Sequence, residues 1–458
     1  MNFIESFLSA SANFIWGAPL LILLLGGGFF FLIYSRFLPF RYIRHAINIL
    51  RGKYDNPDDP GEINHFEALS GALAATIGMG NISGVALAIA AGGPGAIFWM
   101  WISAFFGMAT KFFTCTLAVL YRGKDKEGQL QGGPMYVIRE GLGKKWLPLA
   151  GFFCIAAFIG ATPAFQANQM VAVLKDVLLV PSGVSDGFWT DLIIGLVIAT
   201  IVGLVILGGV KRIANVASKL VPAMVILFVV SVSTILIINY DAILPSLSFI
   251  IDDAFSAKAM LGGAVGAIVI EGAKRAAFSN EAGIGTAPMM HGAAKTNEPV
   301  REGLVAMLGP AIDTIIVCTM TGLCILITGA WQAEITGSYS SDTQGILMTN
   351  LAFNTSLPDV GPYILMICVM VFAITTIFGL AYYGQKCLGF LFSPRFTKYY
   401  NYYYITLVVI GSVTSLNFVI NLVFVGYGLM AFPTMISAII LAPKVMTAAK
   451  SYFNRMSL

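Results

Sequence analysis

The stretch that decides the fold is ALSGALAATIGMGNISGVALAIAA, residues 68–91, followed almost at once by AIFWMWISAFFGMATKFFTCTLA, residues 96–118. Each is close to the roughly 20 apolar residues that cross a bilayer as a helix. The first is interrupted at its middle by Thr76-Ile77-Gly78-Met79-Gly80-Asn81. Two glycines among side-chain oxygens make a poor helix interior and a good place to unwind one. Unwound backbone at membrane depth is tolerated only where protein buries it or it lines a watery cavity. A helix broken at mid-membrane is how transporters hold a small solute.

The rest of the chain fits that reading. Of its 458 residues 57% are hydrophobic and 11% charged, and the mean hydropathy is +0.82. Soluble domains run near 25% charged, so the composition describes a polytopic membrane protein without a separate soluble domain. The net charge of +4 calls for no nucleic-acid partner. The six cysteines (115, 154, 318, 324, 368, 387) show no CxxC or metal-like spacing and read as packing residues. The N-terminus has no Lys or Arg ahead of its apolar run, so a cleaved signal peptide is not expected.

Eleven segments read as membrane helices: 14–36, 67–91, 94–121, 148–173, 188–208, 214–238, 258–278, 302–329, 360–386, 400–418 and 419–443. With the N-terminus outside, the inner segments collect all of the 27 basic residues except Lys111, Lys175 and Lys258. The positive-inside rule therefore predicts N-terminus out and C-terminus in. Pro39–Lys53 and Met135–Lys145 read as basic amphipathic segments for the inner surface. Thr343–Phe353 reads as a lid or a packed loop helix. If segment 14–36 is peripheral, the other ten divide into repeats over 67–238 and 258–443. The break at Thr76–Asn81 opens the first, and Gly262, Gly263 and Gly266 interrupt the first helix of the second. Paired interruptions point to an inverted repeat with a midplane site.

The chemistry sits at that break. Half-helix N–H groups favour a carboxylate, which places an anion clamp at Gly78, Met79 and Gly80. Freed carbonyls favour a cation, near Ala74 and Ile77. The plainer alternative is that the glycines only let two helices pack closely. Thr375-Thr376, with Gly379 one turn on, offers hydroxyls for a neutral oxygen cage suited to Na+, unless those hydroxyls bond back to their own helix. Gln166-Ala167-Asn168 puts two amides inside a span, where they satisfy each other or bind something. Glu271, Asp313 and Lys111 are intramembrane ionisable residues, functional candidates by default. Glu271 is either a proton-coupling group or the ion-pair partner of Lys274 or Arg275. Asp313 is expected near the solvated inner surface, and Lys111 is expected to be neutralised by a carboxylate. No nucleotide, hydrolase or kinase signature is present, and the three histidines lack metal spacing. An enzyme or a channel is therefore disfavoured.

The motifs GGPGAIFWMW (92–101), GMATKF (107–112), ALAATIGMGNISG (72–84), QGGPMYVI (131–138) and FSNEAGIGTAP (278–288) resemble those of the alanine or glycine:cation symporters. The likeness runs from about Phe14 to Lys444. It implies an all-α protein of 11 transmembrane helices, a leucine-transporter-type 5+5 inverted repeat plus one extra N-terminal helix, in the plasma (inner) membrane. It implies import of a small neutral amino acid, alanine or glycine, with Na+ as co-transported ion and no cofactor. By the same resemblance Na+ is held by the carbonyls of Ala74, Ile77 and Phe372 and the hydroxyls of Thr375 and Thr376. The substrate set becomes Thr76, Gly78, Met79, Gly80, Asn81, Gln166, Asn168, Phe278, Thr376, Gly379 and Leu380. Three positions depart from the pattern. Leu380 stands where the family has Trp, Gln385 where it has Glu, and Thr114 where many members have Glu. The smaller wall at Leu380 opens the alternative of a larger substrate such as glutamine, and Glu271 that of H+ coupling.

Overall fold

The computed structural model describes residues 2–256, 264–332 and 344–456. Its helices, in chain order, begin with Asn2–Ile15 (α1), Ala18–Tyr34 (α2), Ile43–Leu50 (α3), His65–Thr76 (α4), Met79–Gly92 (α5) and Gly95–Leu120 (α6). Lys144–Leu179 (α7), Phe188–Ile206 (α8), Gly209–Ile238 (α9), Tyr240–Ala254 (α10), Ala264–Asn280 (α11) and Thr286–His291 (α12) follow. Pro299–Ile327 (α13), Gln344–Ser356 (α14), Gly361–Leu391 (α15), Thr397–Ser412 (α16) and Leu416–Met456 (α17) complete the order. The only paired strands among the described residues are Gly123–Lys124 and Leu130–Gln131, antiparallel with Gly123 opposite Gln131.

Six helices are long and apolar enough to cross a membrane, or nine if each bent pair counts as one span, among the described residues. The bent pairs are α1 with α2 at 46°, α4 with α5 at 42°, and Pro222–Ile238 with α10 at 87°. Ile193, Leu196, Val197 and Leu204 of α8 are exposed, and a broad apolar face of this kind on a folded chain marks contact with lipid or protein. With these spans the chain is a multi-pass membrane protein. α6 runs through the middle, packed against α2, α10, α11 and α13. Its start is anchored by the Asp253 carboxylate, which accepts from Gly95 N at 2.8 Å.

Several boundaries differ from the sequence reading. A break that the sequence reading did not place falls at residues 281–285, between α11 and α12, and Gly266 lies inside α11. Gly262 and Gly263 are outside the described residues, as are Lys258 and Thr343. The hairpin expected at 418/419 turns at 413–415, where Ser415 Oγ accepts from Phe418 N at 3.2 Å and caps α17. Met135–Ile138 is buried rather than spread on the inner surface. All six cysteines are free and buried, consistent with packing.

Candidate functional site

The first break is built by a helix with a firm start and a forced end. Asn64 and Glu67 form a reciprocal capping box at 2.8 Å each way, fixing the beginning of α4. α4 keeps its ladder as far as Ile77 N, which donates to Leu73 O at 2.6 Å. Ile77 then leaves helical geometry (φ −74°, ψ 91°) and Gly78 is extended (φ −153°, ψ −146°). Asn81 Oδ1 accepts from the freed Gly78 N at 3.1 Å and starts α5. A Cβ on Gly78 would lie 2.2 Å from Thr376 Oγ1, and one on Gly80 2.9 Å from the Phe278 carbonyl. Only glycine lets this backbone lie directly on α15 and α11. The last turn of α11, just ahead of a second break at residues 281–285, lies against it through Phe278 and Ser279. The Asn81 amide nitrogen donates to Ser279 Oγ at 3.1 Å and to Asp313 O at 2.7 Å, joining α5 to α11 and α13.

The residues expected to hold Na+ are brought together in part by direct contact. Thr376 Oγ1 donates to Ala74 O across the two helices at 3.3 Å. Thr375 Oγ1 instead bonds back to Val371 O and Phe372 O, both at 3.0 Å, with Met224 Sδ at 3.4 Å. Its hydroxyl thus follows the plainer alternative of bonding its own helix. Ile77 O receives no hydrogen bond among the described residues. Gly379 is a contact point, since a Cβ there would meet Ala75 Cβ at 2.6 Å and push α15 off α4.

Several buried polar atoms of α4, α5 and α7 lack a hydrogen-bond partner among the described residues: Thr76 Oγ1, Ser83 Oγ and Gln166 Oε1. Each such group costs about 1–3 kcal/mol. Phe278 packs edge-on to Phe165 at 5.1 Å and Phe424 at 5.5 Å. Met79 and Leu380 are buried. Asn168 does not join this group. Its amide nitrogen donates to Thr414 O at 2.7 Å, and its oxygen accepts from Gln169 at 2.9 Å. It lines a cavity of about 300 Å³ with Lys175, Asp191 and Ile346. Two residues apart on a helix is about 200° of rotation, which explains why Gln166 and Asn168 part company.

The charged residues sort differently from expectation. Glu271 is ion-paired with Arg275 one turn on, and the Lys274 ammonium sits 4.2 Å from the Phe424 ring. Asp313 is fully buried rather than solvated, and Lys111, also buried, is in direct ion-pair contact with no carboxylate among the described residues.

Sequence reasoning missed three devices. α14 is docked by Gln169 Oε1, which accepts from Ile346 N at 3.1 Å, and by Asn350, which donates to Asp176 at 2.5 Å. His65 and His291 converge on the two oxygens of Glu302, where spacing had left the histidines scattered. Arg122 clamps the carbonyls of Pro60 and Thr296 at 3.1 Å, Gly292 at 2.8 Å, and Ala294, tying the segment before α4 to the segment after α12. No metal-binding group of His, Cys, Asp and Glu occurs among the described residues. The third histidine, His45 on α3, is bonded to Tyr452 Oη at 2.7 Å. Burial first, then the charges of Arg301 and Lys53, lower its pKa and favour the neutral ring.

A family description of the sodium:alanine symporters matches residues 1–457. An uncharacterized transporter of Haemophilus influenzae is 44% identical over 99% of this chain and 97% of its own length. The sodium/alanine symporter AgcS of Methanococcus maripaludis is 38% identical over 99% and 98%. The probable sodium/glutamine symporter GlnT of Bacillus subtilis is 32% identical over 98% and 91%. The chain belongs to the sodium:alanine symporter family, a family of transporters rather than enzymes.

Proposed function

We propose that this protein imports a small neutral amino acid of the alanine and glycine class by Na+-coupled symport with alternating access. The observation that carries the reading is Thr76 Oγ1, buried without a partner at the break, beside the Thr376–Ala74 bridge, with Gln166 Oε1 likewise unpartnered next to the Phe165–Phe278 contact. In this reading the substrate carboxylate meets the backbone of Gly78, Met79 and Gly80, Thr76 and Gln166 take its polar groups, and Phe278 closes the apolar side. Na+ lies between the Ala74, Ile77 and Phe372 carbonyls and the Thr375 and Thr376 hydroxyls. Thr375 turns from its own carbonyls to the ion. Sharing one break links the two ligands, because an ion that favours the broken geometry favours the amino acid too.

The eleven-span topology, N-terminus outside and C-terminus in the cytoplasm, belongs to the same proposal, with α11 and α16 as spans beyond the nine and 5+5 inverted symmetry. Coupling supplies the driving force. One charge crossing 100 mV contributes about 2.3 kcal/mol. A tenfold Na+ gradient adds about 1.4 kcal/mol, so one Na+ supports roughly 500-fold accumulation of a zwitterion. The test is equilibrium binding of labelled alanine to purified protein in Na+ or in K+. Binding in Na+ alone supports the reading, and equal binding in both salts rejects it.

A second substrate, glutamine, is favoured by one position, Leu380, where a bulkier Trp would narrow the pocket. H+ coupling through Glu271 loses ground to the Arg275 ion pair, which leaves that carboxylate already committed.

A further inference from the structure

Between Arg36 and Tyr54 the chain carries Arg36, Arg41, Arg44, Arg51 and Lys53 and no carboxylate. All five are exposed, and none is in an ion pair among the described residues. Arg41 lies 6.0 Å from the Tyr42 ring and Lys53 5.7 Å from the Tyr54 ring. Of the acidic residues that follow, Asp59 turns to Asn297, accepting from its Nδ2 at 2.6 Å and its backbone N at 3.2 Å. Arg44, Ile47 and Arg51 stand at three- and four-residue spacing, which puts them on one face of α3 and its end. The other face is fixed in the protein. His45, Ala46 and Ile49 are buried, His45 bonds Tyr452 Oη at 2.7 Å, and Tyr42 stacks on Phe453 at 3.9 Å.

The element ahead of this patch is apolar on its outside. Phe30, Ile33 and Phe37 are 39%, 49% and 44% exposed and follow at the same spacing along α2 and its end. α2 belongs to a bent pair long and apolar enough to cross a membrane. Just past it come Arg36 and Phe37, consecutive residues in the left-handed region (φ 54° and 59°), which residues other than glycine rarely adopt. Phe37 N donates to Leu32 O at 3.0 Å and closes the helix. The chain turns there into the helical segment Leu38–Arg41. An apolar strip therefore ends where a cationic, carboxylate-free strip begins. That is the order of parts in an anionic phospholipid, acyl chains and then a phosphodiester.

We propose that the corner between α2 and α3 binds an anionic phospholipid, with its phosphodiester on Arg41 and Arg44 and its acyl chains along Phe30, Ile33 and Phe37. Arginine suits the role because its planar guanidinium meets two phosphate oxygens at once. A zwitterionic headgroup would bring its own cation into a field of five cations that no carboxylate offsets, so the corner selects lipids of net negative charge. In the topology proposed above the corner faces the cytoplasmic leaflet. The site depends neither on which solute is carried nor on Na+ coupling.

The experiment is native mass spectrometry of the purified full chain, titrated with phosphatidylglycerol or with phosphatidylcholine of the same acyl chains. The first phosphatidylglycerol should bind about tenfold tighter than phosphatidylcholine. Arg41→Gln with Arg44→Gln should weaken it about 25-fold, roughly fivefold for each arginine near a headgroup. Lys144→Gln with Lys145→Gln, two exposed lysines of another segment, should leave it unchanged. Equal affinity for the two lipids overturns the proposal. So does an equal loss in both double variants, which would mean diffuse attraction rather than a site. Equal competition by soluble glycerol 3-phosphate would assign the patch to a soluble anion and overturns the lipid as its occupant. Arg44→Gln alone provides the second arm should the double variant fail to fold, and no shift in a monodisperse Arg44→Gln protein overturns the assignment.

Discussion

Thr376 Oγ1 on α15 donates to the Ala74 carbonyl on α4 at 3.3 Å, one turn before the chain unwinds. The contact is long for a hydroxyl hydrogen bond, and it joins a helix that breaks to one that does not. A cation seated there replaces a weak bond with shared coordination. Thr376→Ala should raise the Na+ concentration for half-maximal uptake about fivefold or more, for a contact of about 1 kcal/mol. The check is initial uptake rate against external Na+, and an unchanged Na+ curve removes Thr376 from the ion site.

Gln166 separates binding from stability. Its buried Oε1 has no partner among the described residues, so removing it relieves a cost rather than breaking a bond. Gln166→Leu should leave the melting temperature unchanged or raised while weakening alanine binding by about 5- to 100-fold, the range of 1–3 kcal/mol. A thermal-shift series and a binding isotherm on the same preparation decide this. A loss of stability without a loss of affinity would make Gln166 a packing residue.

Leu380 is 1% exposed on the α15 face that follows Thr376 by one turn. Leu380→Trp adds bulk where the chain departs from its family pattern. Competition by glutamine against labelled alanine should fall at least tenfold, with glycine competition little changed. Equal losses for glycine and glutamine would place Leu380 away from the side-chain pocket.

Glu302 joins three helices, α4 through His65, α12 through His291 and its own α13, with all three side chains buried. Breaking a buried pair by removing one partner costs about 3–5 kcal/mol. Glu302→Ala should lower the melting temperature well beyond Arg395→Ala, whose pairing with Glu127 at 3.7 Å is exposed. Equal melting temperatures would show that these helices hold together without the carboxylate.

The first break was legible because its chemistry is local. Two glycines, a threonine and an asparagine within six residues disfavour helix and supply the groups that replace it, and Asn81 caps α5 from inside the same string. The break at 281–285 was not anticipated because the dense glycines at 262–266, of which only Gly266 lies within the described residues, outweighed Gly283 and Gly285. Those two adopt positive φ (84° and 109°), a conformation that glycine content alone does not announce. Gln166 and Asn168 looked alike on paper and differ through helix phase. The triad on Glu302 was invisible for a different reason: its two histidines stand 226 residues apart in the chain, and only the packing of α4 against α12 makes them neighbours. Contacts of that range follow from the fold, not from spacing.

The central claim is that a Na+ gradient drives the amino acid uphill. The most direct test is uptake of labelled alanine by proteoliposomes with an inward Na+ gradient, against the same vesicles with choline outside and with labelled glutamine run alongside. The account predicts internal alanine rising transiently above the external concentration in Na+ alone. Alanine and glutamine that only equilibrate, at the same rate in Na+ and in choline, would contradict it.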